Sequence, residues 1–120
     1  MWTLSMARKY PHIKFVVMSP GNTTGTLAPN NLPPAMAFML KNVMMPVVFP
    51  LMGDMVHPLE VGAKRFVDGI SDERYKSGVF YASKQGKLSG DVVDQSTFYT
   101  DLKNTTFQDN ADKAIHRFIK

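Results

Sequence analysis

The chain has 120 residues and a mass of 13.4 kDa, which is the size of one globular domain. Its composition, with 44% hydrophobic and 20% charged residues, is that of a globular protein and excludes wholesale disorder. It has no cysteine, which excludes disulfide scaffolds, thiolate metal sites, thiol redox centres and cysteine nucleophiles. The formal net charge is +4, from 14 Lys and Arg against 10 Asp and Glu, and without a clustered basic patch it predicts no nucleic-acid partner.

Residues 1–10 are predicted to form a helix. Trp2, Met6 and Tyr10 recur at four-residue intervals and fall on one face, and Pro11 ends the pattern. Because no capping residue stands before this helix, we interpret it as the end of a longer one.

Residues 13–18, Ile-Lys-Phe-Val-Val-Met, predict a strand buried on both faces, which is typical of a parallel sheet. Ser19-Pro20-Gly21 ends the strand, and residues 22–34 are rich in turn-forming Gly, Pro and Asn. The Met-rich stretch that follows is predicted to be helical over residues 35–43 and is left unassigned to Gly53.

A second helix is predicted from Pro58 to Ile70. Proline suits the first turn, Glu60 suits the positive end of the helix dipole, and Gly69 marks the C-terminal end. The predicted buried stripe consists of Leu59, Ala63, Phe66 and Ile70.

Gly78–Ala82 is predicted to be a second strand, and residues 84–102 are expected to be polar and irregular. A third helix is predicted over Phe107–Ile119, capped by Thr106, with Asp109 and Asp112 solvated near its start. Its predicted apolar face and its basic edge consist of Phe107, Ala111, Ile115 and Phe118 and of Lys113, Arg117 and Lys120.

This element order predicts an α/β unit with two parallel strands joined by a crossover helix. Two such strands do not form a stable sheet by themselves. The rest of the sheet is therefore expected to come from further sequence of the same domain or from another chain.

Three motifs carry a family resemblance in the order expected of it: Val16-Val17-Met18-Ser19-Pro20-Gly21 followed by threonines, Pro58-Leu59-Glu60-Val61-Gly62-Ala63, and Ser77-Gly78-Val79-Phe80-Tyr81. With them the chain resembles the C-terminal half of short-chain dehydrogenases/reductases, especially the retinol dehydrogenase and protochlorophyllide reductase-like members. The resemblance implies a partial Rossmann-type (doubly wound) unit in which residues 1–120 are the C-terminal part of one NAD(P)-binding domain. It assigns residues 1–10 to the end of the catalytic helix, 11–26 to the strand and Pro-Gly turn, 27–57 to the substrate loop, 58–70 to a helix, 77–83 to the last strand and 106–119 to the C-terminal helix.

The activity implied by the resemblance is hydride transfer between NADP or NAD, with NADP favoured, and a carbonyl, alcohol or activated double bond of a lipophilic substrate. The family's pyrophosphate loop and its catalytic Ser, Tyr and Lys are not contained in this chain. The partner that the resemblance implies is therefore the missing N-terminal half of the domain. The fragment alone is expected to be inactive. Tyr10 and Lys14 match Tyr-x-x-x-Lys literally, but Pro11 forbids the helix that would bring them together.

The cofactor-binding residues implied by the resemblance are Pro20, Gly21, Thr23, Thr24 and Thr26. Ligands of open parallel sheets bind at the carboxyl ends of the strands, where this turn is expected. The family's threonine usually stands four positions after the glycine, where this chain has Gly25, so Thr24 and Thr26 both remain candidates.

The Met-rich stretch has two interpretations, ordinary core filling or an apolar lid over a lipophilic substrate. The resemblance favours a lid, with Met36, Phe38, Met39 and Phe49 as substrate-loop residues. His12, His57 and His116 are dispersed, so we expect surface or capping histidines and no metal site.

A function of another class remains open: a stand-alone, non-catalytic interaction protein that pairs through its exposed strands, for instance as a homo-oligomer. Membrane-surface contact through residues 35–53 is a weaker alternative. With no export signal and no cysteine, the chain is expected in the cytoplasm or another intracellular compartment and not to be secreted.

Overall fold

The computed structural model describes residues 1–23, 32–52 and 56–119. Its α-helices are α1 (Trp2–Lys9), α2 (Pro34–Met39), α3 (Phe49–Met52), α4 (Leu59–Ser71) and α5 (Thr105–His116). A π-helix, Leu40–Val48, joins α2 to α3, and the three form one continuous helical stretch, here called the apolar segment (Pro34–Met52). The strands are β1 (Val16–Met18), β2 (Val79–Ser83) and β3 (Val92–Asp94), and two 3-10 turns, Gln95–Thr97 and Thr100–Lys103, precede α5.

The chain is a mixed α/β protein with a three-stranded sheet in the order β1-β2-β3. β1 and β2 are parallel, with Val16 opposite Val79, so the predicted parallel pair is confirmed. β3 runs antiparallel to β2, with Tyr81 opposite Asp94, and it lies in the stretch that was predicted to be irregular. The predicted burial of the first strand on both faces is wrong: Val16, Val17 and Met18 are all half-buried, because α4 covers one face and no described strand pairs with the outer edge.

The limits predicted for α4 are nearly right, but its predicted buried stripe is wrong. Gly62, Arg65 and Gly69 are the buried residues, and the side chains of Leu59, Phe66 and Ile70 are exposed, as is Ala63. The reason is the close approach of the sheet: a Cβ atom on Gly69 would lie 3.1 Å from the terminal methyl of Met18. Small residues let the helix backbone approach β1, and the large apolar side chains are left on the other faces.

α5 differs in a similar way from its prediction. Its cap is Asn104, not Thr106: the Asn104 Oδ1 atom accepts hydrogen bonds from the backbone N–H groups of Thr106 (3.0 Å) and Phe107 (3.2 Å). Gln108 and Asp112 are the buried side chains, whereas Phe107 and Phe118 of the predicted apolar face are exposed. The buried face of α5 is polar because its partner, α1, presents cations to it.

α1 and α5 are held together by ion pairs around a small core. Leu4, Ser5 and Met6 of α1 are buried. Arg8 pairs with Asp109 and Lys9 pairs with Asp112, so the expectation that both aspartates are merely solvated is wrong. The hydrogen bond from Lys9, supported by His116, lowers the pKa of Asp112 below its ordinary value.

We expect Asp112→Asn to lower the free energy of unfolding at pH 7. Because the folded-state pKa of Asp112 is depressed, the carboxylate stabilises the fold fully above its unfolded pKa of about 3.9, and this contribution is lost as the pH falls through the folded pKa. Denaturation measured from pH 7 down to below pH 4 should therefore show the unchanged chain and Asp112→Asn converging in acid.

Asp72→Asn is the matched control. The pKa of Asp72 is also lowered, by hydrogen bonds from Arg74, but the two residues are only two positions apart, so much of their contact persists in the unfolded chain. A difference between Asp112→Asn and the unchanged chain that stays constant with pH would contradict the assignment.

Among the described residues, no helix combines the length and the apolar character needed to cross a membrane.

Candidate functional site

The predicted Pro-Gly turn follows β1 directly, at the carboxyl ends of the two parallel strands. The Ser19 N–H donates to the Tyr81 carbonyl (2.9 Å), which extends the pairing with β2 by one residue. Gly21 then has a φ of +75°, a conformation that side-chain-bearing residues rarely adopt, and its N–H donates to the Ser19 hydroxyl (3.2 Å). The chain therefore reverses sharply at this edge of the sheet.

His57 holds the far end of the turn. Thr23 and His57 form a parallel β-bridge, and the His57 N–H donates to the Asn22 carbonyl (3.0 Å). The imidazole Nε2 atom lies 2.7 Å from the Pro20 carbonyl, which can only accept, so Nε2 carries a proton. His57 is only 9% exposed, so the expectation of a surface or capping histidine is wrong here. The imidazole is buried because it is bonded to the Pro20 carbonyl of the turn.

Arg65 also holds the turn in place. Its Nη1 atom donates to the Ser19 carbonyl (3.3 Å) and to the Ser83 hydroxyl (3.2 Å), and its Nη2 atom donates to the Gly90 carbonyl (2.5 Å). The guanidinium thereby joins the ends of β1 and β2 to the loop that leads to β3. It is 5% exposed, and burial lowers its pKa from the ordinary arginine value.

Gly21 is packed tightly against this guanidinium. A Cβ atom on Gly21 would lie 2.7 Å from Arg65 Nη1 and 3.1 Å from the Leu88 carbonyl oxygen. That carbonyl also accepts the Asn22 N–H (2.7 Å). The missing side chain thus makes room for the protein's own arginine and loop, in addition to permitting the positive φ.

An open cleft of about 470 Å³ lies beside the turn, within the size range of small-molecule sites. The Ser83 hydroxyl accepts from Arg65 and keeps its own proton to donate. The cleft combines hydroxyl and backbone groups with the Lys87 side chain. Its lining residues are Ser19, Gly21, Asn22, Ala82, Ser83, Lys87 and Leu88.

The structure brings together only part of the predicted site. Pro20, Gly21 and Thr23 form the turn, and Thr23 is buried with its methyl group against α4. Thr24 and Thr26 lie outside the described residues.

The predicted substrate-loop residues lie in the apolar segment. Met36, Phe38 and Met39 are exposed on α2, and Phe49 begins α3. Apart from contacts among its own turns, the segment has no extensive packing against the other described elements.

His57, Arg65 and Leu88 were not predicted as site residues, because they come from three separate parts of the chain. A sequence signal for Arg65 does exist: it stands three residues after Gly62 and four before Gly69, which puts a cation between two glycines on one helix face. That pattern indicates a face that approaches another backbone closely.

Tyr10 and Lys14 are not a catalytic pair on one helix. Tyr10 is the residue at which α1 ends, and the Lys14 ammonium donates to the carbonyls of Ile70 (3.3 Å) and Asp72 (3.2 Å). The described ranges contain no cluster of three or more acidic or histidine side chains suited to a metal ion. In comparisons with models of known protein families, with curated proteins and with solved structures, nothing matches this chain.

Proposed function

We propose that this chain is the C-terminal part of an NAD(P)-dependent oxidoreductase of the short-chain dehydrogenase/reductase type, and that its sheet is one edge of a doubly wound Rossmann-type sheet. The observation that carries the proposal is the Pro20–Gly21 turn, which lies at the carboxyl ends of two adjacent parallel strands beside an open polar cleft. Ligands of open parallel sheets bind at that edge. β3 is compatible with this architecture, since an antiparallel edge strand is common on otherwise parallel sheets.

In this proposal the cleft binds the nicotinamide end of NADP or NAD. In it the Ser83 hydroxyl orients the carboxamide, and Arg65 and His57 hold the backbone of the turn in position. The apolar segment covers a lipophilic carbonyl or alcohol substrate. The nicotinamide, when bound, supplies or accepts the hydride, and the groups that move the proton belong to the missing N-terminal half of the domain.

Incomplete packing supports a missing half. A groove of about 350 Å³ lies between β1 and α4 and is lined largely by apolar groups, including Val16, Met18, Phe66 and Ile70. Bare strand edges beside apolar surface are rare in finished folds. The radius of gyration is 17.2 Å, whereas a compact domain of this length has about 14 Å.

The same groove and strand edge support a second candidate function. A non-catalytic interaction protein would use β1 to pair with a partner or with a copy of itself, and the Pro-Gly turn would then be an ordinary end of a strand. The two candidates differ in the size of the native protein and in its response to cofactor.

The test is to detect the native protein with an antibody raised against residues 107–119 and to measure its mass and its melting temperature with NADPH. We expect a mass of more than twice 13.4 kDa and a saturable rise in melting temperature for the captured native protein. The 120-residue chain alone should show no saturable rise, because most of the cofactor site is absent from it. ATP, which carries adenine and phosphates without nicotinamide, is the control ligand.

A single band near 13.4 kDa would favour the interaction protein instead. A large native protein that NADPH does not stabilise would contradict the oxidoreductase. A saturable shift of the isolated chain would contradict the claim that its site is incomplete.

A further inference from the structure

α5 is attached to the rest of the protein mainly through α1. Among the described helices and strands, it packs extensively against α1, to a lesser extent against the 3-10 turn that precedes it, and not against the sheet. The contact surface of α5 is polar: Gln108 and Asp112 are its buried residues, and Ala111 and Ile115 are only half-buried. Little apolar surface therefore holds α5 in place, although burial of apolar surface is what normally stabilises a packed helix.

Both helices also bury polar atoms that are unpaired. The Trp2 Nε1 atom and the Gln108 Oε1 atom are shielded from solvent and have no hydrogen-bond partner among the described residues. The other end of the Gln108 amide is engaged, since its Nε2 atom donates to the Leu102 carbonyl (2.7 Å). Each unpaired buried atom costs free energy, which is regained when water reaches the atom. These costs weaken the docking of α5.

Ion pairs supply the attraction between the two helices. Lys9 pairs with Asp112, whose side chain is 8% exposed, and His116 also lies beside Asp112 but belongs to α5 itself. The pair between Arg8 and Asp109 is nearly half exposed on both sides. An exposed pair contributes little in water, whereas a buried carboxylate that loses its cation is strongly destabilised. The docking of α5 therefore depends chiefly on Lys9.

A cavity of about 510 Å³ lies between α1, α5 and the sheet. Separation of α5 from α1 would remove one of its walls and uncover Leu4 and Ser5, which are buried in the docked position. The cavity residues from α5 and the preceding turn include Leu102, Thr105 and Gln108, and those from α1 and β2 include Leu4, Ala7, Val79 and Phe80.

We propose that α5 is a releasable helix: it separates from α1 as a unit while the sheet stays folded, the Lys9–Asp112 ion pair controls this opening, and the opening gives access to the cavity. Local opening of this kind is typical of elements with few buried apolar contacts. The proposal does not depend on the oxidoreductase proposal, since it uses neither the turn nor the cofactor cleft.

The absence of cysteine from the chain makes the opening directly measurable. Ser5 is fully buried and its hydroxyl lies 3.5 Å from the Asp109 carboxylate of α5, so Ser5→Cys places a single, nearly isosteric thiol between the two helices. The rate at which iodoacetamide labels this thiol in the 120-residue chain measures how often α5 is open. We expect Lys9→Met to accelerate the labelling about tenfold or more, because it leaves the Asp112 carboxylate buried without its cation.

Three control variants accompany this measurement. Ile70→Cys, at a position that is 80% exposed, gives the rate of an accessible thiol and should react much faster than Ser5→Cys. Lys9→Arg retains the cation and should label Ser5→Cys at nearly the original rate. Gly62→Ala acts in α4, where its added Cβ atom would meet the Thr23 methyl group. It should lower the urea midpoint of unfolding and leave the labelling of Ser5→Cys unchanged, because the proposed opening keeps α4 and the turn in contact.

Three results would overturn the proposal. Labelling of Ser5→Cys as fast as that of Ile70→Cys would mean that α5 is not docked on α1. An unchanged rate in Lys9→Met would mean that the ion pair does not control the opening. Acceleration by Gly62→Ala in proportion to its loss of stability would mean that the thiol is reached only when the whole protein unfolds. Each of these results leaves the oxidoreductase proposal standing, because no cofactor enters the measurement.

Discussion

Gly62→Ala is expected to destabilise the protein by about 1–3 kcal/mol, although alanine is normally the better helix former. The added Cβ atom would fall well inside the contact distance of the Thr23 methyl group and 3.3 Å from the Pro20 carbonyl oxygen. Thr23 is buried and bridged to His57, so it cannot move aside without disturbing the turn. Thermal or urea unfolding measures the loss, which should lower the melting temperature by several degrees.

Two further variants separate this clash from a general effect on α4. Thr23→Ser removes the methyl group, so the double variant Gly62→Ala/Thr23→Ser should recover much of the lost stability. Gly69→Ala places its Cβ atom against the flexible end of Met18 and should change the free energy of unfolding by no more than about 0.5 kcal/mol. If Gly62→Ala proved as mild as Gly69→Ala, the close contact between α4 and the turn would be refuted.

Arg65→Met is expected to lower the free energy of unfolding by about 2–5 kcal/mol. Methionine fills a similar volume, but three hydrogen bonds from a buried cation are lost, and the carbonyls of Ser19 and Gly90 lose a charged donor in part-buried positions. The loss should also release the turn locally. Hydrogen exchange at the Asn22 amide, which donates to Leu88, should therefore become faster than the change in global stability explains.

Lys64→Met is the control for Arg65→Met. Lys64 is the preceding residue on α4, and its ion pair with Asp68 is exposed, so its removal should alter stability by less than about 1 kcal/mol. Arg65→Lys keeps the charge but cannot reach all three acceptors and should fall between the two. Equal effects of Arg65→Met and Lys64→Met would show that the guanidinium does not organise the strand ends.

The sequence predicts where the helices and strands of this protein lie better than it predicts which of their faces are buried. Pro11 and Pro58 bound helices through the geometry of proline, and the run of branched residues before Ser19 predicts β1; these are local effects that the structure retains. Which side of α4 is buried depends instead on how closely β1 approaches the helix. The spacing of Leu59, Phe66 and Ile70 in the sequence does not indicate that distance. β3 was missed because it has three residues and is held by pairing with β2, not by a pattern of its own.

The candidate site likewise has one part that the sequence predicts and another part that it does not. Pro20 and Gly21 are visible in the sequence because a tight turn after a strand requires those residue types. His57, Arg65 and Leu88 become part of the site only when distant parts of the chain meet. Neither a histidine before a proline nor a leucine in a polar loop indicates such a contact from the sequence. Gly21 stays a predicted cofactor-binding residue, and its close neighbours in the structure are Arg65 and Leu88.

The parallel register between β1 and β2 also determines which part of the sheet is costlier to assemble. Val16 and Val79 pair across 63 positions of the chain, whereas Ser83 and Val92 of the β2–β3 hairpin pair across nine. Because the entropy of loop closure rises with the logarithm of loop length, the first pairing costs roughly 1.7 kcal/mol more than the second. The β2–β3 hairpin is thus expected to close before β1 joins the sheet, and the turn at Pro20, which needs chain segments from positions 19 to 90, is expected to form after it.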